Sequence, residues 1–257
     1  MSSLPLIEPD TALFLDFDGT LADLAPRPEL VYVEPELVGT LRALHTALGG
    51  ALAIVSGRTV AELDNFLSPL VLPAAGVHGA EVRDSAGRRF EMPAPNLGGM
   101  LARLEDLALA HPALRIERKP MALAVHYRSA PELEQLVRSQ VAEALKDMSG
   151  VEMLHGKMVV EVKPAGVTKG SAIENFMREA PFAGRKPVFA GDDVTDEDGF
   201  VMVNKLGGLG VLVGQRATAA TVSVNNPAAL RLWLGHSARA LGAPAGQGDA
   251  PASTPAL

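Results

Sequence analysis

The sequence predicts an α/β protein: a doubly wound, mostly parallel sheet with a smaller α+β domain inserted into it. Three observations carry this. Short apolar runs alternate with helical periodicity towards both ends of the chain. Two of those runs end abruptly in acidic residues, as buried strands do when they bring carboxylates to the carboxyl edge of a sheet. Between them the order is helix, two strands, helix, two strands with hairpin-like joins, the pattern of a small antiparallel sheet.

Taken in order, Ala12–Leu15 reads as a first buried strand. Residues 35–48 carry Leu37, Leu41, Leu44 and Leu48 at helical spacing. Ala51–Val55 is a second strand closed by Ser56-Gly57-Arg58, Val60–Leu67 a short helix, and Leu70–Ala74 a third strand followed by the loop Gly76-Val77-His78-Gly79. Strand, helix, strand, helix, strand implies parallel strands with right-handed crossovers. In the middle, Asn96–Ala110 and Pro131–Asp147 are helical. Leu114–Lys119 pairs with Met121–Tyr127, and Val151–His155 with Lys157–Val162 through Gly156. After Pro164 the first pattern resumes: helix Ser171–Ala180, strand Pro187–Ala190, helix Thr195–Leu206 and strand Gly210–Val213. The expected division is a core of residues 1–94 and 165–241, an inserted domain of 95–164, and a disordered tail of 242–257 rich in Ala, Pro, Gly and Ser.

The chain has 257 residues, enough for one large domain or two modest ones. It has no cysteine, which removes disulfides and thiolate metal ligands. A net charge of −7 without a basic run argues against nucleic acid or an anionic membrane as partner, and leaves a small-molecule substrate. No apolar run reaches the roughly 18 residues that span a bilayer, and the N-terminus lacks the charged-then-apolar order of a signal peptide. A cytoplasmic monomer is expected.

Four segments carry chemistry. Asp16 and Asp18, in Asp16-Phe17-Asp18-Gly19-Thr20, put two carboxylates one residue apart at a strand end. One carboxylate can attack phosphorus, and the other can move protons; Asp-Gly is also a turn dipeptide. Residues 190–198 hold five acids among nine, again after an apolar strand. Such oxygen ligands suit Mg²⁺, with Asp192 or Asp193 as a direct ligand. Asp193 or Thr195 can equally cap a helix whose first turn is acidic. Ser56 with adjacent N–H groups can hold a phosphoryl oxygen, although Ser-Gly is a common turn pair. Lys169, in Gly166-Val167-Thr168-Lys169-Gly170, can hold a phosphate and its nucleophile together as a point charge.

In that order the four segments resemble the signature of the haloacid dehalogenase-like phosphatases, and the insertion lies where one subclass of that superfamily carries an α/β cap. Within it, Gly156-Lys157-Met158-Val159-Val160-Glu161-Val162-Lys163-Pro164 joined to Gly191-Asp192-Asp193-Val194-Thr195-Asp196-Glu197-Asp198 is similar to the trehalose-6-phosphate phosphatases. So are Ser56-Gly57-Arg58 and Gly76-Val77-His78-Gly79-Ala80-Glu81. The resemblance runs from about Leu13 to about Val213. It implies a Rossmann-like core, hydrolysis of a disaccharide phosphate through an aspartyl-phosphate, and Mg²⁺ as cofactor. Asp16 would be the nucleophile and Asp18 the general acid and base, with Ser56 and Lys169 on the phosphoryl group. Mg²⁺ would be held by Asp16, the Asp18 carbonyl and Asp192, with Asp193 close by. Lys157 and Glu161 lie four apart on an expected strand, hence on one face, and would reach the sugar hydroxyls. Arg58, His78, Glu81 and Arg128 are further candidates for the cleft. Lys163 departs from the arginine that many relatives carry before Pro164. The rival readings are a phosphatase for another sugar phosphate, such as sucrose phosphate or mannosyl-phosphoglycerate, a hexose phosphomutase with the same core, and a non-catalytic sugar-phosphate sensor.

Overall fold

Thr11–Leu15 (β1) is buried at every position, which suits the centre of a sheet covered on both faces. The computed structural model describes residues 4–25, 30–119, 121–156 and 158–242. After β1 come α1 (Pro35–Ala47), β2 (Leu52–Val55), α2 (Val60–Leu67), β3 (Ala74–Gly76), β4 (Glu81–Arg83) and β5 (Arg89–Glu91). Next are α3 (Gly98–Ala110), β6 (Arg115–Arg118), β7 (Leu123–His126), α4 (Glu134–Leu145), β8 (Val151–Gly156) and β9 (Val159–Pro164). The chain continues with α5 (Lys169–Phe176), β10 (Lys186–Gly191), α6 (Glu197–Lys205), β11 (Leu209–Val213), β12 (Val222–Val224) and α7 (Pro227–Ala240).

The larger sheet runs β12-β11-β10-β1-β2-β3-β4-β5. It is parallel from β12 to β3, and β4 is antiparallel. The predicted α/β class is therefore present. From β1 the chain winds outward through β2 and β3, then returns to β10 on the other side of β1. β1 and β10 thus flank a topological switch point, where ligands bind beyond the carboxyl ends of parallel strands. Leu15 is level with Ile54 of β2 and Ala190 of β10, so the residues that follow all three strands emerge at one edge.

The helices packed on this sheet follow from local signals. Proline occupies the first turn of α1, whose Leu37, Leu41 and Leu44 are buried. Thr59 and Glu62 form a reciprocal capping box at the start of α2. Phe14, Phe176 and Phe182 stack between β1 and α5, with ring centroids 5.1–6.0 Å apart.

By contact the chain divides into two compact units, one from the residues up to Phe90 and from Thr168 onward, the other Glu91–Val167. The second has its own antiparallel sheet, β6-β7-β9-β8. Leu123, Val125, Val160 and Val162 of that sheet share an apolar core with Met100 and Leu104 of α3 and Val137 and Val141 of α4. Among the described residues no helix is long and apolar enough to cross a membrane.

Several elements differ from the sequence expectation. The third strand is Ala74–Gly76, not Leu70–Ala74; Pro69 and Pro73 lack the N–H that a ladder needs. The helix expected at Ser171 begins at Lys169, because Thr168 caps it through a box with Ser171. The helix expected from Thr195 opens as a 3₁₀ turn, Val194–Asp196, and becomes α-helical at Glu197. Residues 131–133 are likewise 3₁₀ before α4. The strand expected from Lys157 is described from Val159. β4, β5, β12 and α7 are additional. The tail expected to be disordered lies, from residue 243, outside the described residues.

Candidate active site

Asp16 follows β1 and is 3% exposed. Its backbone N–H donates to the Ala190 carbonyl at 2.9 Å, which locks the end of β1 to β10. The first residue of α5 supplies Lys169, also 3% exposed. The Lys169 Nζ lies 2.7 Å from Asp16 Oδ1 and 2.6 Å from Asp196 Oδ1. Thr20 Oγ1 lies 3.1 Å from Asp16 Oδ2 and 3.3 Å from Asp192 Oδ1. One ammonium and one hydroxyl thus draw three acidic residues from two distant segments together.

Burial, reinforced by Asp196 and only partly offset by Lys169, pushes the Asp16 carboxyl up to about 7. Asp192 rises to about 6 through burial and then its neighbours Asp196 and Asp193. For Lys169, burial opposes the charge, but Asp16 and Asp196 outweigh it and raise its pKa. Two carboxyls with raised proton affinity beside a fixed cation describe a site with an excess of negative charge.

Oxygens of Asp16, Asp192 and Asp196 lie within 4.8 Å of one another. Asp196 is fully buried and fully engaged: Oδ1 takes Lys169, and Oδ2 takes the N–H groups of Asp192 and Asp193 at 2.9 and 2.8 Å. Asp16 and Asp192 therefore retain the free lone pairs. Gly19, at φ 73°, keeps this space open, since a Cβ there would stand 2.2 Å from Asp192 Oδ2. Hard oxygen donors around an uncrowded point fit a divalent cation of the Mg²⁺ type. Asp193 is exposed, and its carboxylate caps the N–H of Val194 at 2.7 Å.

Asp18 is held differently. Arg58 grips it with both arms, Nε to Oδ2 at 2.6 Å and Nη2 to Oδ1 at 2.7 Å. The guanidinium lies 4.7 Å from the Phe66 ring centroid and 5.7 Å from that of Phe17. Ser56 is buried at the end of β2, and its Oγ accepts from the Arg58 N–H at 3.3 Å. His78 adopts a left-handed φ of 58°, and its N–H donates to the Ser56 carbonyl at 2.8 Å. The Glu81 carboxylate accepts from the Val60 N–H at 2.9 Å, at the start of α2.

A family model described as trehalose-phosphatase matches residues 14–230. The chain is 41% identical to the trehalose-6-phosphate phosphatase of Escherichia coli (strain K12) over 236 residues, 91% of this chain and 89% of that one. It is 44% identical over 223 residues to a probable trehalose-phosphate phosphatase of Sinorhizobium fredii, covering 85% and 83%. The chain belongs to the trehalose-phosphatase family. That family consists of phosphoric monoester hydrolases. Among solved structures, a trehalose-6-phosphate phosphatase related protein superposes with a TM-score of 0.66 at 30% identity, covering 89% of this chain and 97% of that one. The C-terminal domain of the Candida albicans trehalose-6-phosphate phosphatase shares the fold, with a TM-score of 0.71 at 24% identity over 89% of this chain and 92% of that one.

The remaining candidates of this trehalose-phosphatase lie in the second unit. Glu161 sits on β9 between Val160 and Val162, which face the apolar core, so its side chain takes the opposite face. There Lys119 Nζ meets Glu161 Oε2 at 2.6 Å. Arg128 is exposed in the turn after β7. Lys157 lies outside the described residues. Lys163 is 8% exposed; its Nζ donates to the Val167 carbonyl at 2.5 Å and pairs with Glu152 at 2.9 Å. Those contacts need one ammonium rather than a planar fork.

The sequence reading missed Thr20, Asp196 and Lys119 as polar centres. Asp196 had been visible only as a residue of an acidic helix start. Thr20 directly follows the Asp-Gly pair, a position already marked. Lys119 was the last residue of an expected strand, one beyond the end of β6, and carried no motif of its own.

Proposed function

We propose that this chain hydrolyses trehalose 6-phosphate to trehalose and inorganic phosphate, acting as a monomer in the cytoplasm. The observation that carries the reading is the buried Asp16 carboxylate, paired with Lys169 beside Asp192 at the carboxyl edge of the sheet, in a chain of this family. A charged sugar phosphate does not cross a bilayer unaided, which supports the location.

Asp16 attacks phosphorus in line, and the bond from phosphorus to the sugar oxygen breaks. Asp18 gives that oxygen its proton. Lys169 and Ser56 hold the phosphoryl oxygens as charge gathers on them. Asp18 then takes a proton from water, whose oxygen attacks phosphorus and releases phosphate from Asp16. Asp18 must leave the two-armed hold of Arg58 to reach the departing sugar oxygen. Asp16, Asp192 and the Asp18 carbonyl would hold Mg²⁺, which supplies positive charge to the transferring group. Glu161, with Lys119 as its partner, contacts the sugar hydroxyls together with Lys157, and the two set specificity. Arg128, His78 and Glu81 are the further substrate-binding residues, and Asp193 supports the loop of Asp192.

The test is phosphate release across a panel of sugar phosphates, with and without Mg²⁺. Trehalose 6-phosphate should be the preferred substrate and Asp16→Asn should abolish turnover. Preference for sucrose phosphate, or conversion to an isomeric sugar phosphate without phosphate release, would overturn the assignment.

A further inference from the structure

Arg216 lies in the loop between β11 and β12 and belongs to none of the four motif segments. Two of its guanidinium nitrogens bond to the turn that carries Asp192, and the third ties it to Glu197 and to its own loop. Nε donates to the Asp192 carbonyl at 3.0 Å, and Nη2 donates to the Asp193 carbonyl at 2.5 Å. Nη1 meets Glu197 Oε1 and donates to the Ala217 carbonyl at 3.0 Å. Glu197 Oε2 in turn accepts from the Ala219 N–H at 2.7 Å. The arginine and its loop are thereby fixed to the start of α6 from both sides.

The other side of the same turn is held by Asp196, whose Oδ2 takes the N–H groups of Asp192 and Asp193. Both residues are therefore held at both main-chain polar groups, N–H by a carboxylate and C=O by a guanidinium. With its backbone pinned in this way, the Asp192 side chain is left to choose only among rotamers. Arg216 touches the carbonyls and no oxygen of the Asp192 carboxylate, so it aims the carboxylate without competing for its lone pairs. Its charge is balanced locally by Glu197, which excludes general neutralisation of the acidic cluster as its main effect.

We infer that Arg216 is a positioning residue for the divalent-cation site, orienting Asp192 through its main chain. The inference rests on the reading of Asp16 and Asp192 as cation ligands. Outer partners that orient ligands typically change metal affinity by about 10–100-fold when removed. A planar fork contacting two adjacent carbonyls is not reproduced by a single ammonium, so Arg216→Lys should recover only part of the loss.

The experiment measures Mg²⁺ binding directly by calorimetry on the full chain, without substrate, and in parallel the Mg²⁺ dependence of phosphate release. Arg216→Ala should weaken Mg²⁺ binding by about tenfold or more, with kcat largely restored at saturating Mg²⁺ and Arg216→Lys in between. Asn204→Ala serves as the control: Asn204 ties the same loop through Ala219 and Thr221 without touching the acidic turn. It should leave Mg²⁺ affinity within about twofold. Equal affinity in Arg216→Ala and the parent overturns the inference, as does an equal loss in Asn204→Ala, which would assign the effect to loop order. If Arg216→Ala does not fold, Arg216→Lys decides by the same criterion. A parent chain that binds no divalent ion removes the metal reading itself, and the inference with it; a parent that binds while Arg216→Ala binds equally well removes the inference only.

Discussion

Lys169→Met removes the one ammonium that bonds to two buried carboxylates while keeping a side chain of similar length. Lys169 and Asp16 are each 3% exposed and Asp196 is fully buried, with Nζ–O distances of 2.7 and 2.6 Å. Asp196 keeps two N–H donors on its other oxygen, and Asp16 keeps the Thr20 hydroxyl and the Phe17 N–H. Removing one member of a buried ion pair costs about 3–5 kcal/mol because the remaining charge is uncompensated. In a domain of this size each kcal/mol moves Tm by about 2–4 °C, so the variant should melt about 6–20 °C lower. The loss depends on pH with a definite sign. Burial raises Asp16 from 3.8 to about 7, so the folded chain binds a proton that the unfolded chain does not, and stability falls as pH rises across that interval. In the parent the fall stops near 7. Without the attraction of Lys169 the folded pKa is higher and the fall continues, so the deficit should widen above neutrality. Urea unfolding in EDTA at about pH 6 and about pH 8 measures both terms. Adding Asp16→Asn to Lys169→Met should recover part of the loss, since a neutral amide leaves no uncompensated charge. A deficit below about 1 kcal/mol at both pH values, or no recovery in the double variant, would refute the picture of a mutually compensated buried trio.

Gly19→Ala places a Cβ 2.2 Å from Asp192 Oδ2 at a backbone φ of 73°; displacing that carboxylate should lower kcat by about 100-fold, with circular dichroism unchanged. Glu161→Ala should reduce turnover of trehalose 6-phosphate much more than that of a small aryl phosphate, and an equal loss on both would remove Glu161 from substrate selection. Asp64→Ala leaves the buried Arg83 guanidinium with only the Leu72 carbonyl, and urea unfolding should show a loss of about 2–3 kcal/mol, below that of a fully buried pair because Asp64 is partly exposed.

The central strands were legible because burial on both faces demands uninterrupted apolar runs, and β1, β2 and β10 are such runs. α2 was legible to its ends because a capping box marks its start. β4, β5 and β12 were not, being three residues long and partly or wholly exposed, too short to show a period. α7 was within reach: Asn226 caps it, proline follows, and Leu230, Trp233 and Leu234 recur at helical spacing. Leu70–Ala74 misled because an apolar run with one proline before it and another inside it can pack without pairing.

At the site, what the sequence disclosed were the residues whose chemistry is conspicuous in one dimension: Asp16 and Asp18 at a strand end, Lys169 at a helix start, Asp192 in an acidic cluster. What it concealed were the residues whose role is to hold those. Asp196 looks like a favourable acid in the first turn of a helix, and it does close a capping box with Asp193. Yet the same carboxylate neutralises half of a buried ammonium that arrives from 27 residues earlier. Its two roles are inseparable, because the oxygen that caps fixes the direction in which the other meets Lys169. Arg58 shows the converse. Its position beside Ser56 suggested a cleft residue, but its side chain holds Asp18, 40 residues away in sequence, with two hydrogen bonds. With Asp18 in its proposed role, Arg58→Lys, which keeps the charge and loses the fork, should therefore lower kcat more than it changes KM. A change confined to KM would return Arg58 to the cleft and free Asp18 from its control.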